Sequence, residues 1–343
     1  MFRSRLFFAF GGTLLAASLA LGGCGGGGSD EDEPTEPAAE DTVEATAEAT
    51  SEPAESDTMA VDQAFWHAGW KVTLGDATFT PDGAGGSVLI AAEFENLSDT
   101  TSTFNSQTVL TAAGESYEGG SLDEDLPEVP AGFSGEGALG FDVDESFSFD
   151  DAVLTIGNPD NNQAVIPIGE DADAELVTLE PIAIPVTGTV TAGAVTLTIE
   201  GAEVRADLPD LSDQLPKGTY AITINFSATP QAGIQVGQGV LQSPNVILRL
   251  PDGTAVAVRS DGVSGVNELL QGAEGTTISN LRVRYEIDEP IEGPYAVILR
   301  GNYGPGGAEV EGELAFTIEP QPSSTPAASG TGTPSVPGSE LDY

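Results

Sequence analysis

Between Val61 and Glu319, apolar side chains recur at every second position. Val88, Ile90, Ala92 and Phe94 alternate with Leu89, Ala91, Glu93 and Glu95, and Leu139, Phe141 and Val143 alternate with Gly140 and Asp142. Leu281, Val283, Tyr285 and Ile287 alternate in the same way with Arg282, Arg284 and Glu286. Successive side chains of an extended chain point to opposite faces, so period two predicts strands with one face in a core and one in water. Turn-forming clusters such as Pro81-Asp82-Gly83 and Pro251-Asp252-Gly253 punctuate the runs. No segment sustains a helical period, and only around Val266 to Gln271 does a turn or two of helix fit. The expected fold class is all-β.

The order of segments repeats. The first half reads VTLGDATF (from Val72), VLIAAEF (Val88), TVLTAAGESY (Thr108), GALGFDV (Gly137), AVLTIG (Ala152) and AVIPIG (Ala164). The second reads LTIEGAEV (Leu197), YAITINF (Tyr220), NVILRLPDGTAV (Asn245), NLRVRYEI (Asn280), AVILRG (Ala296) and ELAFTIE (Glu313), with longer gaps between segments. Two units of six to eight strands fit a tandem pair of antiparallel sandwiches better than one large barrel. The expected domains are 61–180 and 181–319, divided within the Pro-containing stretch Leu179 to Gly188.

Four stretches of the first half carry a resemblance. They are Trp70-Lys71-Val72-Thr73-Leu74 as an opening strand, AEFENLSD (Ala92 to Asp99) as a strand ending in Asn and a polar turn, and AAGESY (Ala112 to Tyr117) as a small-residue, Gly and Tyr corner. The fourth is VPAGFSGEGALGFDV (Val129 to Val143), a turn feeding a Phe-containing strand, here with Ala131 between Pro130 and Gly132. Together they resemble the immunoglobulin-like domains of unknown function on many bacterial surface lipoproteins, related to a small secreted mycobacterial immunoprotective antigen. The resemblance implies immunoglobulin-like sandwiches on an envelope surface and carries over no common ligand or activity.

Met1 to Cys24 reads MFRSRLFFAFGGTLLAASLALGGC. Arg3 and Arg5 precede an apolar stretch from Leu6 to Leu21 that is shorter than the roughly 18–20 residues a spanning helix needs. Small residues then lead to the chain's single cysteine, the pattern of a signal peptide over residues 1–23. Leu21-Gly22-Gly23-Cys24 resembles the lipobox of bacterial lipoproteins, which implies cleavage before Cys24 and acylation of its sulfur and its new amine. Several acyl chains, at about 0.8 kcal/mol per buried methylene, would hold the mature chain on the extracytoplasmic face of a membrane. Residues 24–60 hold twelve acids and no base, and 320–343 are rich in Pro, Ser, Thr and Gly. Neither stretch carries enough apolar surface to offset ordering, so both are expected to be disordered tails.

Charge and composition exclude several functions. Fifty-five acids against ten bases give a formal net charge of −45, which argues against nucleic-acid partners and against direct contact with anionic lipid. One Cys rules out an intramolecular disulfide, and one His, His67, rules out any site built from two imidazoles. No Gly-x-Ser-x-Gly elbow occurs, so His67 is expected at an exposed or edge position and no enzyme is expected. With so many acids, a pair of carboxylates for glycoside hydrolysis carries no information by spacing alone. Trp66 and Trp70 allow a binding surface, an aromatic platform for a sugar or an apolar partner, against a plainer arrangement with Trp70 in the core and Trp66 over its open end. No cofactor is expected. Calcium is the one cation with candidate ligands, in three loops: Asp142 and Asp144; Asn158, Asp160 and Asn162; Asp207, Asp210 and Asp213. The Asn158 run opens like an EF-hand loop but has Gln163 where Gly is required. The expected function is lipid-anchored display for non-catalytic contact with a protein or glycan, or envelope structure. A calcium-dependent adhesin or sensor and a carboxylate hydrolase are the alternatives.

Overall fold

The alternating segments all become strands in the computed structural model, which describes residues 56–120, 126–234, 239–259, 265–270 and 274–318. Cys24, the signal segment, residues 24–55 and the 320–343 tail lie outside the described residues. The first half forms β1 (Asp57–Ala60), β2 (Ala64–His67), β3 (Trp70–Pro81), β4 (Gly85–Asn96), β5 (Ser102–Thr103), β6 (Thr108–Ala112), β7 (Glu115–Glu118), β8 (Glu128–Val129), β9 (Ser134–Asp144), β10 (Val153–Ile156) and β11 (Ala164–Pro167). The second forms β12 (Ile182–Ile184), β13 (Gly188–Ala192), β14 (Val195–Arg205), β15 (Asp207–Leu208), β16 (Asp213–Gln214), β17 (Thr219–Pro230), β18 (Val240–Gln242), β19 (Val246–Arg249), β20 (Ala255–Val256), β21 (Asn267–Leu269), β22 (Ile278–Asp288), β23 (Gly293–Gly301) and β24 (Val310–Ile318). Among the described residues helix is confined to short 3-10 turns, and none is long and apolar enough to cross a membrane.

Every sheet is antiparallel and none closes into a barrel. In the first half β1-β3-β4-β9, joined by β2 on β3, faces β11-β10-β6-β7. In the second, β12-β14-β17-β22, joined by β13 on β14, faces β24-β23-β19-β20. A two-strand ribbon accompanies each half, β5 with β8 and β18 with β21. With β15 and β16 set aside, each pairing in one half has its counterpart in the other at the same place in the strand order. Two details deepen the match. β3 carries one extra residue against β4 between Leu74 and Ala77, and β14 carries one against β17 between Ile199 and Gly201. After β4, the amide of Leu97 donates to Gly69 O at the β2–β3 turn, and after β17 the amide of Gln231 donates to Ala194 O at the β13–β14 turn.

Each half has its own core between its two sheets. Val72, Leu74, Val88, Ile90 and Phe94 meet Leu110, Leu154, Ile156 and Ile166 in the first. Leu197, Ile199, Ile222, Ile224, Phe226 and Val283 meet Val246, Leu248, Val297 and Leu299 in the second. Fully burying a side chain of this size contributes roughly 1.5–3 kcal/mol, so the alternation read from the sequence is the main source of stability. Two expectations are corrected. Residues 57–60, assigned to the unordered linker, form β1 on Asp76–Phe79, with Met59 packed against the core. The helical turn at Val266 to Gln271 is instead β21, paired with β18, while Val266 and Leu270 fill the core.

Candidate functional site: a polar junction between the two halves

The β2–β3 hairpin turns tightly through Ala68 and Gly69, at φ +49° and +85°, the two-residue turn whose twist suits paired strands. His67 pairs with Trp70 across it, and Trp66 pairs with Lys71. Cross-strand partners share a face. His67 and Trp70 therefore point inward, and Trp66 points outward beneath the Lys71 ammonium, 5.8 Å from its ring. Trp70 meets Phe94 and Phe104 edge-on. The two tryptophans lie on opposite faces of the sheet and form no shared aromatic platform. That corrects the binding-surface expectation for Trp66 with Trp70.

The hairpin tip meets a segment that only the second half possesses. Residues 207–214 rise out of the β14–β17 connection as β15, a 3-10 turn over Pro209–Leu211, and β16. The matching connection in the first half is the short turn at Pro81 to Gly85. Leu208, Leu215 and Ala221 form a small apolar cluster beneath the inserted segment, with Leu211 against it. Asp210 clamps its crest by accepting from Arg282 Nη1 at 3.1 Å and Arg284 Nη2 at 2.6 Å. Asp207 lies at its base, 3% exposed, with Oδ1 accepting from Arg205 Nε at 2.7 Å.

Among the described residues, six hydrogen bonds cross from the first half to this region. Gly69 N donates to Asp207 Oδ2 at 2.8 Å, and Ala68 N donates to Gln214 Oε1 at 2.8 Å. The loop between β10 and β11 supplies the other four. Asn162 N donates to Leu215 O (3.0 Å), Asn162 Nδ2 to Thr219 O (2.7 Å), Gly218 N to Asn162 Oδ1 (2.8 Å) and Lys217 N to Asp160 O (2.9 Å). Asn162 is thus used at its backbone amide and at both side-chain atoms. Gly69 fits closely as well. A Cβ there would sit 3.0 Å from Pro209 O, at a φ that L side chains rarely adopt. All described residues belong to one compact unit, Pro53–Tyr343.

His67 lies behind this tip on β2 and is 4% exposed, so of the exposed and edge-packed alternatives expected of it the exposed one is corrected. Its Nδ1 is 2.8 Å from Ser106 Oγ, while Nε2 is buried without a hydrogen-bond partner. Gly157 (φ +102°) packs against that nitrogen so closely that a Cβ would lie 2.4 Å away. Burial lowers the ring's pKa from 6.5 to about 4, against a smaller opposing pull from Asp207. The Ser106–His67 pair lacks the group that would orient a general base from its other nitrogen.

The calcium candidates do not converge. Among the described residues, no three His, Cys, Asp or Glu side chains are grouped as a metal site requires. Asp207 and Asp210 serve arginines, and Asp213 is exposed on β16. Asp142 is exposed opposite Ser87. Asp144 Oδ1 accepts from Ser146 Oγ and N and from Tyr117 OH, and the Ser146 bonds hold its carboxyl below the ordinary range. Asn158 Oδ1 accepts from Asp160 N within its own turn, and Asn162 belongs to the junction.

The sequence reading did not single out an open groove of about 460 Å³ on the outer face of the first sheet. Asp62, Glu93 and Glu136 line it where β3 bulges at Gly75, and Glu93 and Glu136 are direct cross-strand neighbours. Like charges placed directly opposite on adjacent strands repel. Gly75-Asp76 within a strand pattern was the available signal for the bulge.

No protein-family model matches the chain, and no curated protein matches it. Among solved structures, a conserved domain protein from Bacillus anthracis is similar over 76% of this chain and 90% of its own, at 12% identity and a TM-score of 0.22. A TM-score that low supports no conclusion about fold or function.

Proposed function

We propose that the mature chain is a lipid-anchored, extracytoplasmic protein that presents two immunoglobulin-like sandwiches as one stiff, non-catalytic body. It serves contact with a protein or glycan, or the structure of the envelope itself. The junction is the observation that carries this reading. Six hydrogen bonds fix two β-units relative to each other, one of them accepted by a carboxylate that the buried Arg205 holds in place within the second unit. The immunoglobulin-like assignment draws support from Tyr295 near the start of β23. Its hydroxyl donates to Ile291 O at 2.7 Å and accepts from Ile291 N at 3.1 Å. That is the tyrosine corner common in such sandwiches. The anchor rests on Cys24. In a bacterial host, a Cys24→Ser variant is expected to lose palmitate labelling and to leave the membrane fraction. A variant that still fractionates with the membrane as the parent does refutes the anchor.

A further inference from the structure

We propose that His67 is a proton-sensitive latch, whose neutral ring keeps the β2–β3 tip seated on the second half and whose protonation releases it. The ring follows directly into Ala68 and Gly69, the two residues whose amides are held by Gln214 and Asp207. An Nδ1–H that donates to Ser106 Oγ leaves the Nε2 lone pair against the Cα of Gly157, which a neutral ring tolerates. A second proton on Nε2 would need an acceptor, and Gly157 occupies that place. Charging the ring therefore requires the tip to move away from Gly157, and moving the tip pulls the two amides off their acceptors.

The groups around the ring do not offset this. Asp207 is the nearest charge that favours the cation, but its oxygens are already bonded to Arg205 and to the Gly69 amide. The Phe104–Gln107 strip and β11, which also flank the ring, carry no charge. Asp160 and Lys217 stand on exposed loops at the rim, and Asp213 is exposed on β16. The sign follows from linkage. A docked ring with a pKa of about 4 excludes the proton that a released ring, near 6.5, accepts. Seating is complete above pH 6.5 and weakens as pH falls toward 4. The difference of about 2.5 units corresponds to a roughly 300-fold change in the opening equilibrium.

The chain's single histidine makes the test direct. In protein carrying 13C-labelled histidine, the ring gives one resonance, followed from pH 7.5 to 4 beside hydrogen exchange of the Ala68 and Gly69 amides. The latch predicts no titration near 6.5. Exchange at both amides, corrected for its intrinsic pH dependence, is expected to rise by up to about 300-fold as the ring titrates, while the two cores stay protected. His67→Gln keeps a hydrogen-bonding side chain and cannot take the proton, so its exchange is expected to stay flat over this range. A midpoint near 6.5 with no change in exchange overturns the latch. So does a His67→Gln variant with the parent's pH response, or core protection lost together with the tip. If that variant fails to fold, the coincidence of ring titration and tip exchange in the parent decides the question.

Discussion

Asp207→Ala tests whether the junction is worth what its burial implies. The carboxylate is 3% exposed and holds Arg205, itself 8% exposed, at 2.7 Å. Removing one member of a buried ion pair strands the other, at about 3–5 kcal/mol. The Gly69 amide loses its acceptor too, a loss of about 1–3 kcal/mol when no water replaces it. Arg205 recovers part of this by leaning on Glu203, now 3.8 Å from Nη1. A net destabilisation near 3–5 kcal/mol follows. At about 2–4 °C per kcal/mol for a unit of this size, Tm is expected to fall by roughly 6–20 °C. Differential scanning calorimetry reads the mechanism as well as the size. If the junction couples the two cores, the parent is expected to melt in one transition and the variant in two. The double variant Arg205→Met with Asp207→Leu removes both charges and is expected to regain most of the loss, short of the Gly69 amide's share. A fall of under about 2 °C with one transition retained would refute the reasoning, because the pair would then contribute no more than an exposed one.

Two further perturbations probe other features. Tyr285 is fully buried in the second core and its hydroxyl has no hydrogen-bond partner, so Tyr285→Phe is expected to leave Tm unchanged or raise it; a clear drop would reveal a partner, such as a trapped water. Residues 61–319 hold 41 acids against eight bases, which places long-range repulsion throughout the folded part. Tm is expected to climb as NaCl increases from low to molar concentration, and a flat profile would reject a fold limited by its own charge.

The strands were legible because alternation is imposed by the pleat itself and survives without a partner. The duplication was legible for the same reason, since segment order is preserved where loop lengths are not. The junction was not. Asp207 and Asp210 looked like cation ligands because, in a chain with 55 acids, sequence does not tell a solvated carboxylate from one facing an arginine. Arg282 and Arg284 lie far along the chain from Asp210, and only the fold brings them to it; Arg205, two residues before Asp207, was the one partner visible in the sequence. The alternatives left open for His67 and Trp66 are decided by one fact, the two-residue turn at Ala68-Gly69. It sets which of four neighbouring side chains face inward, and a turn of that type shows in sequence only weakly when Ala occupies a positive-φ position.

The matched halves differ at the ends they present. The β2–β3 tip of the first docks on the β14–β17 end of the second, so opposite ends of the repeat meet. A head-to-tail contact of this kind, if every copy offered both ends, would propagate without closing. Among the described residues neither outer end offers the matching surface. The first half closes its β3–β4 connection with the short turn at Pro81 to Gly85 and lacks the inserted segment that would receive another tip. The second half keeps the tip but occupies it. Its Ala194 amide, the counterpart of Gly69, donates to Tyr303 O of its own β23–β24 connection at 3.0 Å. The Tyr303 carbonyl approaches Gly193 so closely that a Cβ there would lie 2.4 Å from it. One amide position thus has two fates, bonded across the junction in the first copy and satisfied internally in the second.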